Sequence, residues 1–259
     1  MRAIDSTGVH CGALFAAIII VAFPGPAAAR ITKTKPSPSA RWNQGLPLTV
    51  GGGFEFHSDQ EQTKYDFPLL LDYSFSEQLS LTIEPNLSKI ESKSEDVRAV
   101  SGLADLETSM QWEFVSERQY RPAFTLEGLI KWPTATDPDL GTPRHDYGVG
   151  LLVSKDLAVL DLDLDVLYTS VGDRQEQNTM EIALASEVPV VNHLFSIVAE
   201  VVHTISTGAS QPVAHQTEGT LGFVWQVTRY LKLEVGYKLA DDFTGQVVTA
   251  WEWNFEGDD

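Results

Sequence analysis

Three aspartates occupy every second position in AVLDLDLDVLYTS, residues 158–170, with leucines between them. Carboxylates at this spacing could draw cations, provided that they share one face. On a helix, Asp161, Asp163 and Asp165 would spread around the cylinder and each would carry a leucine with it. On a strand they sort completely. The aspartates take one face, and Leu160, Leu162, Leu164, Val166 and Tyr168 take the other. Strand geometry sets neighbouring carboxylates about 7 Å apart, where water-screened repulsion is only ~0.6 kcal/mol per pair. A hydrated surface tolerates that charge density and a dry core does not. The segment is therefore a wall with a greasy side and a wet, negative side.

The same period of two returns along the chain. Leu48, Val50, Phe54 and Phe56 alternate with Thr49 and Glu55; Phe67, Leu69, Leu71, Tyr73 and Phe75 follow. Met110, Trp112 and Phe114 oppose Glu107, Gln111 and Glu113, and Phe124, Leu126, Ile130 and Trp132 oppose Glu127 and Lys131. Tyr147, Val149 and Leu151 oppose Gly148 and Gly150; Met180, Ile182 and Leu184 oppose Glu181. Ile197, Ala199 and Val201 oppose Glu200, while Leu221, Phe223 and Trp225 oppose Glu218 and Thr220. The last segment closes on Trp251, Trp253 and Phe255. About twelve segments result, most near the ~9–11 residues that a tilted membrane strand needs. Short links near 76–78, 116–119, 155–156, 192 and 228–229 alternate with longer polar links near 57–64, 89–101, 133–144, 170–178 and 205–214.

This pattern predicts an all-β fold: an antiparallel up-and-down transmembrane β-barrel of about twelve strands, lipid outside and water inside. Aromatic residues gather toward the segment ends. Trp112, Phe114, Trp225, Trp251, Trp253 and Phe255 mark one rim, and Trp132, Tyr147 and Tyr168 mark the other, as membrane-interface girdles would. A terminal strand closing on an aromatic is also what barrel-assembly machinery takes up, although EGDD follows Phe255 here.

The net charge of −18 argues against nucleic acid, which wants a basic surface. Residues 13–23, ALFAAIIIVAF, are apolar but short for a membrane span, and small residues follow at Ala27 and Ala29. Residues 1–29 read as a signal peptide, residues 30–46 as a basic, Pro/Ser-rich periplasmic lead, 47–255 as the barrel and 256–259 as an acidic tail. Export to the outer membrane of a Gram-negative bacterium is the expectation. The single cysteine, Cys11, lies within the leader.

Several stretches carry a likeness: GLADLETSMQWEF (102–114), RPAFTLEGLIKWPTA (121–135), LGT (140–142) and YGVGLLVSKDL (147–157). In this order they resemble the outer-membrane family named for the MetA pathway of phenol degradation. A glycine often follows the Pro-Thr pair in that family, and Ala135 stands there in this chain. The resemblance implies a barrel that passes small, hydrophobic or aromatic compounds, without catalytic residues.

The lumen expected from the alternation is acidic, lined by Asp161, Asp163, Asp165, Glu181, Glu200, Glu218, Glu107 and Glu127, with Lys131 among the few inward cations. Such a lumen favours cations. The partners implied are the lipid bilayer, the assembly machinery and a small-molecule solute, with no cofactor and no metal. A closed structural or ligand-binding barrel is the alternative. A lipid hydrolase is a third reading, resting on His203 and His215 near Ser206 and Ser210, but no GxSxG or HExxH pattern supports it.

Overall fold

The computed structural model describes residues 48–58, 62–93, 98–173, 176–191, 194–208, 211–228, 231–240 and 245–255. The leader, the basic lead and the acidic tail lie outside the described residues. The strands are β1 (Leu48–Ser58), β2 (Gln62–Ser76), β3 (Leu79–Glu84), β4 (Asn86–Ser92), β5 (Val100–Leu103), β6 (Leu106–Val115) and β7 (Ala123–Trp132). They continue with β8 (Asp146–Asp156), β9 (Asp161–Ser170), β10 (Asn178–Val191), β11 (Phe195–Gly208), β12 (Gln211–Gln226), β13 (Leu231–Ala240) and β14 (Gly245–Phe255). Among the described residues, one 3₁₀ turn, Pro138–Leu140, interrupts the strands.

These fourteen segments make twelve staves. β3 and β4 both pair with β2, β3 along its second half and β4 along its first, so they form one stave broken at Pro85. Proline has no N–H to give to the ladder, but its carbonyl still accepts from the Leu69 N–H at 2.8 Å. β5 and β6 likewise form one stave, pairing with β4 and β3. Between the pairs Leu87↔Leu103 and Glu84↔Glu107, three residues on this stave face two on its neighbour. That is a β-bulge, and it reverses which parity points inward.

All pairings are antiparallel and follow the chain around the wall. The pairing then returns to its start: β14 bonds β1 from Leu48↔Phe255 to His57↔Gln246, and β1 bonds β2 over Glu55–Ser58. Twelve staves about 4.8 Å apart and tilted by ~40° make a ring roughly 20–25 Å across. β9 stands six staves from β1 in either direction, on the opposite wall.

Burial alternates as the sequence requires. On β9, Asp163, Asp165 and Leu167 are buried while Leu164 and Tyr168 are exposed. On β8, Tyr147, Val149 and Leu151 are exposed, and Asp146, Gly150, Leu152 and Ser154 are buried. The buried set contains much of the charge, and the exposed set is largely aliphatic and aromatic. This inverts the soluble pattern. The fold is an antiparallel up-and-down transmembrane β-barrel.

Two expected loops are shorter than the polar composition indicated. Residues 205–214 are mostly strand, since β11 runs to Gly208 and β12 starts at Gln211. The link near 57–64 shrinks in the same way, between Ser58 and Gln62. Polar residues on both faces there reflect a wall that continues past the apolar band, because paired backbone needs no greasy side chain once water is present.

Leu184 stands mid-wall, exposed, in register with Leu164 and Val201. Leu184→Arg should cost about 2–4 kcal/mol in denaturant unfolding from phospholipid vesicles, the cost of a basic side chain at the bilayer midplane. A cost below ~0.5 kcal/mol would place Leu184 in water instead.

Candidate functional site

The interior of the barrel is the site. β9 aims Asp163 and Asp165 inward, Asp163 in register with Ser154 and Ala185, and Asp165 with Leu152 and Ala183. The short side chains of Ala183 and Ala185 leave room for the carboxylates. Asp161 is half-buried at the end of the strand, across from Asp156 and Glu187. The ionisable groups that face Asp163 are Asp161, Glu187 and Glu117, all carboxylates. Its Oδ1 atom is enclosed without a hydrogen-bond partner.

The other expected lining residues also fall on the inner face, but around the wall and not in one cluster. Glu107 registers with Glu84 on one side and Lys131 on the other. Glu127 accepts from Gln111 Nε2 at 3.0 Å. Glu181 lies between Leu167 and Thr204, and Glu200 is buried between Ala185 and Thr220. Glu218 is paired with Lys238. Among the described residues, no three His, Cys, Asp or Glu side chains are placed to hold a metal ion.

The inward lysines each meet a carboxylate. Lys131 Nζ reaches Asp146 at 2.6 Å, Lys232 reaches Glu234 at 2.8 Å, Lys64 reaches Asp66 at 3.0 Å, and Lys238 pairs with Glu218. Asp146 and Asp66 were not foreseen as lining residues. Both precede the first aromatic of an alternating run by one position, and extending the parity by one residue finds them.

An apolar seam interrupts the charge. Leu129 and Leu167, from the strands flanking β8, lean over Gly148 and Gly150, where a Cβ would meet them at 3.1 and 3.3 Å. Leu152 continues the seam, and Val198 and Val224 form a second apolar contact across β11 and β12.

Several side chains hold the connection at 133–145, Asp105 foremost. Asp105, turned inward by the bulge, accepts from the Ala135 N–H at 3.0 Å, the Thr142 N–H at 2.7 Å and the Thr142 hydroxyl at 3.1 Å. Arg98 adds an outer clasp, 2.7 Å from Asp137 and 3.4 Å from Asp139. Asp146 accepts from the Gly172 N–H at 2.9 Å, tying the next loop to the same corner. Beneath this connection lies a cavity of about 320 Å³, bounded by Lys64, Glu84, Asn86, Glu107, Lys131 and Leu140.

The aromatics lie toward the two ends of the staves. At the end bearing the short turns, Trp112 and Phe114 lie 5.8 Å apart, Trp253 and Phe255 6.4 Å, and Phe195 stacks on Trp225 at 5.7 Å. Trp251 is half-buried two residues up the same strand. At the other end Trp132, Tyr147 and Tyr168 are exposed, and the Trp132 indole donates to Thr108 Oγ1 at 2.9 Å.

Among the described residues, the histidines and Ser206 fall on opposite faces. His203 and His215 stack at 5.6 Å on the outer face, and His203 Nδ1 meets Thr217 Oγ1 at 3.0 Å. Ser206, of opposite parity on β11, belongs to the inner face; Ser210 lies outside the described residues.

This architecture is known from solved structures. An outer membrane channel from Pseudomonas putida F1 superposes with a TM-score of 0.66 over 86% of this chain and 100% of its own, at 16% identity. The chain has the fold of an outer-membrane channel. The NanC porin matches with a TM-score of 0.61 at 12% identity, over 80% of this chain and 100% of that one. A KdgM porin solved with disordered oligogalacturonate matches at 0.56 and 10% identity, over 80% and 99%. No protein-family model and no curated protein sequence matches the chain. The likeness to the MetA-pathway family therefore rests on the quoted stretches alone.

Asp105→Ala removes three hydrogen bonds to one loop. Bonds to a charged acceptor contribute about 1.5–3 kcal/mol each, so amide exchange at Ala135 and Thr142 should quicken at least ten-fold in hydrogen-exchange measurements. Unchanged exchange would show that Asp105 does not hold the loop.

Proposed function

We propose that the chain is an outer-membrane channel that passes small polar solutes and favours cations. One observation carries this reading: every inward lysine described is already neutralised by its own carboxylate. The inner face also carries Asp161, Asp163, Glu187, Glu127 and Glu200, so its acids outnumber these lysines and the net field is negative. Low-dielectric walls strengthen that field, so a cation gains and an anion loses along the same path. The apolar seam of Leu129, Leu152 and Leu167 is a candidate lining for the aromatic or hydrophobic cargo that the family likeness implies.

In this reading the aromatic rims lie at the two membrane interfaces, with Trp112, Phe114, Trp225, Trp251, Trp253 and Phe255 toward the periplasm and Trp132, Tyr147 and Tyr168 toward the outside. Even strand number leaves both ends of the barrel on the periplasmic side. Residues 1–29 would direct export through the inner membrane, and the Trp251–Phe255 strand would engage the assembly machinery of a Gram-negative outer membrane. The function is transport and not catalysis.

A second reading draws on the tightness of the interior. Leu152, Gln111, Thr82, Asp146 and Ser80 are almost wholly enclosed. A lumen packed this closely supports a closed structural or ligand-binding barrel.

Single channels in a planar bilayer under a salt gradient separate the two. The channel reading predicts steady steps whose reversal potential has the sign of cation preference. It also predicts that Asp161→Asn, Asp163→Asn and Asp165→Asn together shift that potential toward zero. Anion preference would contradict the proposed selectivity, and a folded but silent barrel would favour the closed reading.

A further inference from the structure

The cavity beneath the 133–145 connection brings both signs of charge to one place. Its wall comes from β2, the β3–β4 stave, the β5–β6 stave and β7. Three of its charges fall in one row. Glu84 registers with Glu107, and Glu107 with Lys131, so acid, acid and base succeed one another across β3, β6 and β7. Neighbouring strands lie about 4.8 Å apart, so the row turns from negative to positive within one strand spacing. Pro68, Ala104 and Leu140 add apolar surface to the same cavity.

The roof over this row is fixed. Asp105 holds the Ala135 and Thr142 amides, and a Cβ at position 141 would overlap the Asp105 carboxylate and Ala135. Glycine therefore lets the connection lie down on the wall, with Leu140 and Gly141 bounding the cavity. The space is about 320 Å³, at the small end of the roughly 300–1,000 Å³ common for ligand pockets. The charged groups can serve it while keeping their places in the wall. An ammonium has three N–H groups, so Lys131, 2.6 Å from Asp146, can take a second carboxylate. Glu84 and Glu107 have interactions of their own, and a carboxylate accepts at about four lone-pair sites, so each can take a further donor.

We infer that this cavity binds a small zwitterion, its ammonium taken by Glu84 and Glu107, its carboxylate by Lys131, and its methylenes covered by Pro68, Ala104 and Leu140. A simple cation there would stand beside the Lys131 ammonium, and a simple anion beside two glutamates. Only a solute with both charges, about one strand spacing apart, gains along the whole row. The role in selecting what the barrel passes rests on the channel reading above; the binding does not.

Calorimetric titration of the full barrel in phospholipid nanodiscs, with empty nanodiscs subtracted, tests this without requiring conduction. The probes are γ-aminobutyrate, butylammonium and butyrate, which share a carbon chain and differ in charge. On the unaltered barrel, γ-aminobutyrate should bind at least about ten-fold more tightly than either of the others. Its advantage over butyrate should vanish in Glu84→Gln with Glu107→Gln. Its advantage over butylammonium should vanish in Lys131→Gln with Asp146→Asn, a pair chosen so that no buried carboxylate loses its partner. Equal binding of butylammonium or butyrate to the unaltered barrel, or no binding of γ-aminobutyrate, overturns the site, and these outcomes need no variant to fold. An advantage that survives both sets of substitutions would also overturn it, by placing the zwitterion elsewhere. Single-channel recordings separate the two readings. A conducting barrel that fails to discriminate would sink the site and leave the channel, and a silent barrel that discriminates would do the reverse.

Discussion

A backbone that crosses an apolar medium has to satisfy every N–H and C=O within the protein. The rest of the structure depends on that constraint. A sheet can meet it only by closing, and closure here is carried by β1, which pairs along its length with β14 and at its far end with β2. Closure then divides each strand into two solvents. Leu164 and Asp163 are adjacent in sequence and stand in different media. The same division explains why a chain with ordinary apolar content places its large hydrophobics, among them Trp112, Phe223 and Tyr237, on the exposed side.

The interior follows from a second balance. A narrow barrel buries its inward side chains against one another, so charges there need either partners or water. The wall solves this unevenly. Near the loop end, Lys131, Asp146 and Asp105 are spent on structure, tying the connection at 133–145 and its neighbour to the staves. The loop end of the lumen is therefore braced by ion pairs and hydrogen bonds. Near the turn end, the ionisable groups facing Asp163 are carboxylates, and Ser154 gives it a hydrogen bond.

Much of this was legible in the sequence. The period of two across 160–168, 147–153 and 195–201 determines face and medium together, because no other element sorts those residues. The count of staves was legible too, since Pro85 and the Ala104–Asp105 break divide single staves without adding turns. The bulge was not. One extra residue between Leu103 and Glu107 leaves both parities looking plausible, and only the pairing to β3 and β4 reveals the switch. That switch is what turns Asp105 onto the loop, so its role could not be read from LADLE. The ends of β11 and β12 were hidden for a different reason. Thr204, Ser206, Thr207 and Gln216 have the composition of a loop, yet ladder hydrogen bonds extend the wall beyond the apolar band.

The claim on which everything else stands is that the two faces of one strand lie in different solvents. A cysteine scan through residues 160–168, one position at a time in the barrel reconstituted in lipid vesicles, tests it with a water-soluble thiol reagent. The account predicts labelling at 161, 163 and 165 and protection at 162, 164 and 166, alternating with period two. Uniform labelling, or labelling of the leucine positions in preference to the aspartates, would contradict it.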